Sequence, residues 1–133
     1  MLKYLLDTNI VIYVMKQRPV KVGERFVRHQ GQLAISAVTL MELIYGAEKS
    51  AQSERNLRDI EGFSARLEVL PYCEAAVLHT GQIRAELATA GTPISPYDQM
   101  IAGHARSLGL VLVTNNAREF QRVSGLRLEN WTE

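Results

Sequence analysis

The chain opens with the stretch LKYLLDTN at residues 2–9, in which a short apolar run is followed directly by an acid. Similar runs recur near residues 33–35, 67–70 and 110–113, and a weaker one lies near 127–129. They are apolar throughout rather than alternating in polarity, and longer helical patterns separate them. This order predicts an α/β fold, with a parallel central sheet of about five strands and helices on both faces.

The segments between these runs carry helix start and stop signals. Helices are predicted over about residues 36–47, 53–63, 73–90 and 95–108, from Ser and Thr caps, a proline at a first helical position and glycines after last turns. Ser36 and Thr39 are alternative caps for the first of them. At 133 residues the chain is predicted to form one domain over residues 1–133.

The composition excludes several protein classes. It is 47% hydrophobic and 22% charged, as in a soluble globular protein, and 15 basic against 14 acidic residues leave a net charge of +1. No whole-molecule field therefore points to nucleic acid. Cys73, the only cysteine, is predicted to be a buried apolar residue without a disulfide. No signal peptide or membrane-spanning run is visible, so we expect a soluble, cytoplasmic protein.

Four acids are predicted to meet at one edge of the sheet. Asp7 follows the first strand and Glu42 lies about two turns into the helix after the second. Asp98 lies in the first turn of the helix that begins at Ser95, and Glu119 follows the fourth strand. Right-handed crossovers bring helix starts and the carboxyl ends of parallel strands to the same edge, where open α/β folds bind ligands.

Four converging carboxylates would repel one another unless a cation lay between them. Mg²⁺, or Mn²⁺, is the predicted ion because both favour oxygen ligands in octahedral geometry. Zinc is disfavoured, since the three histidines are scattered and Cys73 stands alone.

Each acid also has a structural interpretation. Asp7 could cap the helix that follows it, and Glu42 lies at capping-box spacing from Thr39. Asp98 could favour the helix dipole, and Glu119 could belong to a charged surface segment. The prediction of a metal site therefore depends on the joint placement of the four acids.

Four segments combine these acids with their neighbours: LDTN at residues 6–9, ISAVTLMELIYG at 35–46, YDQMIAGHA at 97–105 and TNNAREF at 114–120. In order and spacing they resemble PIN domains, and within them the VapC toxins of bacterial type II toxin–antitoxin pairs, over essentially the whole chain. The resemblance implies a metal-dependent endoribonuclease. Its substrate would be a structured RNA, often a transfer RNA cut in the anticodon region, attacked in line by a metal-activated water.

The resemblance also implies roles for individual residues. Asp7, Glu42 and Asp98 would be catalytic, metal-binding acids and Glu119 the fourth, although many relatives carry an Asp where this chain has Asn116. Polar neighbours would orient the carboxylates and the metal's waters, or else serve as caps and turn formers; they are Thr8, Asn9, Ser36, Thr114 and Asn116.

An acidic pocket repels RNA, so basic residues on its rim must supply binding. The candidates are Lys16, Arg18, Lys21, Arg25 and Arg28, with Arg118 and Arg122 in addition. A solvated helix face is the other interpretation of this basic run. The resemblance further implies a homodimer and a cognate antitoxin that blocks the acidic pocket.

Two other classes compete with the nuclease. A phosphatase of the haloacid-dehalogenase type would need an Asp where Asn9 stands, and a receiver domain would need a lysine after the fourth strand. The second class is a non-catalytic RNA- or protein-binding module with the PIN fold. The presence of all four acids argues against it.

Overall fold

The computed structural model describes all 133 residues. Five strands form one sheet in the order β3-β2-β1-β4-β5, and every neighbouring pair is parallel. The strands are β1 (Tyr4–Leu6), β2 (Leu33–Ser36), β3 (Glu68–Leu70), β4 (Val111–Val113) and β5 (Leu128–Glu129). The predicted α/β fold with about five parallel strands is confirmed.

Seven helices connect or follow these strands. They are α1 (Thr8–Lys16), α2 (Val20–Arg28), α3 (Ala37–Glu48), α4 (Ser53–Ser64), α5 (Glu74–Ala90), α6 (Pro96–Leu108) and α7 (Ala117–Phe120). None of them is long and apolar enough to cross a membrane.

The sheet separates two hydrophobic cores, which explains why its strands are apolar on both faces. In β1, Tyr4 and Leu6 belong to one core and Leu5 to the other. The first core also contains buried side chains of α1 to α4, and the second contains those of α5 and α6. Side chains alternate between the faces of a strand, so burial of both faces requires continuous apolar runs.

The connections place a topological switch point beside β1. From β1 the chain adds β2 and β3 on one side, then crosses to add β4 and β5 on the other. At such a point neighbouring connections leave the sheet in opposite directions and open a crevice at the carboxyl ends of the strands. Asp7 directly follows β1 at this position.

The helix caps lie at predicted positions, and the structure decides between the two candidate caps of α3. The Ser36 hydroxyl accepts the backbone N–H of Val38 (3.1 Å), so Ser36 rather than Thr39 caps α3. The capping-box interpretation of Glu42 is therefore wrong, because Thr39 lies inside the helix. In α6, Ser95 caps the start, Pro96 occupies the first position and Gly109 ends it at φ 66°.

Two further expectations needed correction. Cys73 is exposed just before α5 rather than buried, because the chain emerges from β3 there before the helix turns back onto the sheet. The basic run over residues 16–28 is not one helix face. It spans the end of α1, a break over residues 17–19 and α2.

Candidate metal centre

Asp7 is held at the carboxyl end of β1 by both its backbone and its side chain. Its N–H donates to the carbonyl of Val113 (3.0 Å), which continues the pairing of β1 with β4. Its carboxylate accepts the N–H of Ile10 (2.9 Å), so Asp7 caps α1 as one interpretation predicted. The side chain is buried, with only 4% of the residue exposed. The cap fixes this carboxylate at the switch point.

The surroundings of Asp7 raise its pKa to about 6. Burial is the largest cause, because it disfavours the charged form. Hydrogen bonds from the Thr114 side chain and the Ile10 N–H act in the opposite direction, and the charges of Asp98 and Glu42 raise the pKa further. Three acids from β1, α3 and α6 therefore lie close enough to interact electrostatically, and no basic side chain offsets them.

Asp98 is in the first turn of α6 and is partly buried. Its N–H donates to the Ser95 hydroxyl (3.4 Å), which sets the start of the helix. The pKa of Asp98 is raised mainly by burial; the hydrogen bond from Ser95 opposes the rise and the charge of Glu119 adds to it. Asp98 thus links the Asp7–Glu42 group to the fourth predicted acid.

Glu42 is tied to the start of α1. The hydroxyl of Thr8 donates to Glu42 Oε1 (2.6 Å) and lies 3.3 Å from Thr39 Oγ1. Thr39 is fully buried. Sequence reasoning did not assign it to the site, although Thr39 precedes Glu42 by one helical turn on the same face. Thr8 follows Asp7 in the chain, so this contact couples the positions of Glu42 and Asp7.

Glu119 has a dedicated partner in Asn116. The Asn116 amide donates to Glu119 Oε2 (3.0 Å), and the Asn116 backbone N–H donates to Thr114 Oγ1 (2.9 Å). Thr114 also bonds Asp7. The Asn116 side chain therefore orients one carboxylate oxygen of Glu119.

Two predicted polar neighbours form no hydrogen bond with the acids. Asn9 is exposed on α1, with no side-chain hydrogen bond. The buried Ser36 hydroxyl caps α3 and lies 2.8 Å from His104 Nδ1. His104 is buried on α6, and burial lowers its pKa. Through Ser36 it joins α6, which carries Asp98, to α3, which carries Glu42; nothing in the sequence pointed to this link.

The predicted basic residues do not form one group. Lys16 lines a groove that also contains Thr8 and Glu42. Arg28 lines a separate depression, and Arg25 is paired with Glu129 (3.7 Å). Arg18 and Lys21 are exposed. Of the five, Lys16 is the one that shares a groove with a predicted site acid, Glu42.

The donor set suits a hard cation that keeps part of its water shell. No three His, Cys, Asp or Glu side chains are placed to hold one ion by themselves. Mg²⁺ is ordinarily held by one or two carboxylates together with waters, so a pair such as Asp7 and Asp98 meets its needs. A carboxylate such as Asp7, whose pKa is raised mainly by burial and further by two other acids, is also a group that a cation would stabilise.

Comparisons with known proteins agree with this geometry. The family model described as PIN domain matches residues 4–126. The chain is 64% identical over 132 residues to the tRNA(fMet)-specific endonuclease VapC of Shigella flexneri, covering 99% of this chain and 100% of that protein. It is 53% identical over 131 residues to Ribonuclease VapC2 of Haemophilus influenzae (strain ATCC 51907 / DSM 11121 / KW20 / Rd), covering 98% and 99% of the two chains.

Solved structures show the same fold. DNA-bound VapBC from Salmonella typhimurium matches with a TM-score of 0.95 at 61% identity, over 98% of this chain and 99% of the matched chain. VapBC-1 from nontypeable Haemophilus influenzae matches with a TM-score of 0.90 at 41% identity, over 99% and 100%. These similarities extend across all four acid-bearing segments.

Proposed function

The chain belongs to the PIN domain family and, within it, to the VapC ribonucleases, and from this premise we propose that it is a Mg²⁺-dependent endoribonuclease toxin that cuts the initiator transfer RNA tRNA(fMet) in its anticodon region. The observation that carries the proposal is the position of the buried Asp7 at the switch point of the sheet, with Glu42 bonded to the neighbouring Thr8 and Asp98 in the first turn of α6. The substrate is supported by the 64% identical Shigella flexneri relative, which is named for that activity.

Asp7 and Asp98 are the proposed direct ligands of the ion. Both are carboxylates whose pKa is raised chiefly by burial, so both gain from a neighbouring positive charge. The Asp7 carboxylate is fixed by the Ile10 N–H and cannot swing away without uncapping α1. Because this carboxylate is already fixed, it loses little conformational entropy when the ion binds.

Glu42 is the proposed proton acceptor for the attacking water, or binds the ion through a water. The hydrogen bond from Thr8 occupies Oε1 and leaves Oε2 as the free oxygen. Glu119 completes the acidic cluster, with Asn116 holding one of its oxygens. Both assignments follow because each glutamate keeps one carboxylate oxygen that forms no hydrogen bond within the protein.

Ribonucleases of this family generally act with a divalent metal ion. When bound, such an ion makes water a better nucleophile at neutral pH and offsets charge on the reacting phosphate. We propose Mg²⁺, with Mn²⁺ as a substitute, because every acid of the cluster offers oxygen and neither cysteine nor histidine lies among them.

The proposed partners are RNA, a cognate antitoxin and a second copy of this chain. Lys16 is the basic residue best placed to contact RNA, since it shares a groove with Thr8 and Glu42. The structural relatives are VapBC complexes, some of them bound to DNA, which supports an antitoxin that covers the acidic site. A non-catalytic module is less well supported, because the full-length relatives are named as nucleases.

The test is cleavage of purified initiator tRNA, beside an elongator tRNA, in Mg²⁺ or EDTA. Asp7→Asn and Asp98→Asn are compared with Glu61→Gln, whose side chain is exposed on α4 and unpaired. We expect Mg²⁺-dependent cuts in the initiator tRNA that fall roughly a hundredfold or more in both Asp variants and are unchanged in Glu61→Gln. Equal cutting by all samples would reveal a contaminant, and no Mg²⁺-dependent cutting by the wild type would overturn the proposal.

A further inference from the structure

Three large side chains are exposed around the acidic site. Met41 is 41% exposed, Tyr45 62% and Tyr97 48%. Together with Thr8 and Glu42 they line one depression. Apolar and aromatic surface therefore directly adjoins the carboxylate of Glu42.

Neither tyrosine serves the packing of the fold. Both rings lie outside the two hydrophobic cores, and neither hydroxyl forms a hydrogen bond within the chain. Tyr13 shows the contrast, since it is partly buried against the first core and its hydroxyl accepts from the Asn115 amide (2.9 Å). The two exposed rings are therefore free to contact a ligand.

The positions of the two rings follow from the positions of the acids. Tyr97 precedes Asp98 in the first turn of α6, and Tyr45 lies three residues, about one turn, after Glu42 on α3. Helix spacing thus puts the Tyr45 ring on the same face as the proposed proton acceptor, and the Tyr97 ring lines the same depression as Glu42. A phosphate bound among the acids would bring its neighbouring bases to this rim.

A positive charge accompanies one of the rings. Lys49 Nζ lies 5.0 Å from the centre of the Tyr45 ring. A ring beside a cation is the pair that single-stranded nucleic acid uses, because bases stack on the ring and phosphates attract the cation.

We propose that Tyr45 and Tyr97 form a stacking platform for the unpaired RNA bases that flank the cut phosphate, and that Lys49 contacts a phosphate next to the base on Tyr45. This rests on the proposed ribonuclease function and adds a base-binding site to it. Stacking accepts any base, so the platform selects unpaired loop nucleotides over helical RNA, whose bases are already stacked.

The test compares Tyr45→Ala and Tyr97→Ala with Tyr45→Phe and Tyr97→Phe. Leu108→Ala is the matched control, because Leu108 is 47% exposed at the far end of α6. Single-turnover cutting of an initiator-tRNA anticodon stem-loop is followed over a range of protein concentrations, and the oligomeric state of each variant is measured by mass photometry. A duplex RNA of the same length serves as a competitor.

We expect each Ala variant to raise the half-saturating protein concentration about tenfold. The Phe variants and Leu108→Ala should resemble the wild type, since stacking needs the ring and not the hydroxyl. The advantage of stem-loop over duplex should shrink in the Ala variants. Their oligomeric state should not change.

Three results would overturn the platform. Unchanged half-saturation in both Ala variants, with an active wild type, would remove the stacking role and leave the nuclease intact. Loss of cutting that parallels loss of the dimer would assign the rings to an interface between two copies of the chain. Absence of Mg²⁺-dependent cutting in the wild type would overturn the proposed function itself, and the platform with it.

Discussion

Two regions of the molecule differ in how their polar groups are paired. One is the contact between α5 and α6, and the other is the carboxyl edge of the sheet. Where α5 meets α6, Gly103 allows the helices to approach so closely that a Cβ on it would lie 2.1 Å from Thr80 Oγ1 and 2.7 Å from the Thr80 nitrogen. The Thr80 hydroxyl donates to the Ala76 carbonyl (2.7 Å) and pairs with the Tyr72 hydroxyl (2.6 Å). The buried Thr80 hydroxyl, at the closest approach of the two helices, therefore has two hydrogen-bond partners.

Arg106 extends this pattern. Its guanidinium donates to His79 Nδ1 (3.0 Å), Gln82 Oε1 (3.0 Å) and the Ser124 carbonyl (2.9 Å), and it pairs with Glu86 (3.4 Å). One cation therefore ties α5, α6 and the segment after α7 together. The charge of Arg106 is therefore balanced by partners within the protein.

The carboxyl edge instead gathers like charges. Asp7 is buried beside Asp98 and Glu42 with no basic partner, and its pKa rises to about 6 as a result. The difference indicates where to look for function. Polar groups that stabilise the fold have hydrogen-bond partners within the chain, whereas acids gathered without a basic partner are typical of a ligand site. Four changes, from the largest expected effect to the smallest, test this division.

Gly103→Ala should break the packed region. The added methyl would collide with Thr80 backbone as well as its hydroxyl, so α5 and α6 must separate. We expect a loss of about 3 kcal/mol or more in the free energy of unfolding, measured by urea titration. Gly81→Ala on α5 is the control; nothing lies within 4 Å of its Cβ, and it should be neutral or slightly stabilising. Equal effects of both would show that helix propensity, not contact, dominates.

Asp7→Asn should remove the cost of the buried charge. Because folding raises the pKa of Asp7 from 3.8 to about 6, the folded state binds more protons than the unfolded chain between these values. The contribution of Asp7 to stability is thus complete below about pH 4 and is lost as pH rises through 6. In EDTA the variant should gain up to about 3 kcal/mol over the wild type between pH 4 and pH 7.

The variant minus wild-type difference is the quantity to measure, by denaturant titration at several pH values. His104, whose pKa is lowered, destabilises the protein as pH falls, but it does so in both proteins and cancels. Asn still accepts the Ile10 N–H, so the cap on α1 survives. A difference that does not vary with pH would contradict the raised pKa.

Arg106→Met should weaken the contact between α5 and α6 without separating the two helices. The methionine keeps much of the apolar stem but loses all five polar contacts of the guanidinium, including one to the His79 carbonyl, so we expect a loss of about 1–2 kcal/mol in the free energy of unfolding. Arg84→Met on α5 removes an exposed arginine that forms no ion pair and should change little. Similar losses in both variants would deny Arg106 its special role.

Mg²⁺ should stabilise the protein by binding at the acidic carboxyl edge and nowhere else. An ion that binds only the folded state, at a concentration about ten times its dissociation constant, adds about 1.4 kcal/mol to stability, seen as a rise in melting temperature. The rise should disappear in Asp98→Asn and persist in Gly81→Ala. An equal rise in Asp98→Asn would place the ion elsewhere.

Much of the site was predictable because its acids stand at positions that a parallel sheet makes equivalent. Asp7 and Glu119 follow strands and Asp98 starts a helix, so the topology brings them to one edge whatever their separation in the chain. The partners of these acids were not predictable in the same way. The Thr8–Glu42 contact joins residues 34 apart and depends on how α1 packs beside α3.

Sequence alone determined the five apolar strands, the helix cap at Ser95 and the edge where the acids are expected to meet, because local propensity and the periodicity of the sheet set these features. Only the tertiary structure decided which oxygen bonds which donor, that Ser36 faces His104, that Cys73 is exposed, and that Tyr45 and Tyr97 stand open beside the acids. Those outcomes depend on distances of a few tenths of an ångström between elements far apart in the chain, and no residue pattern encodes such distances.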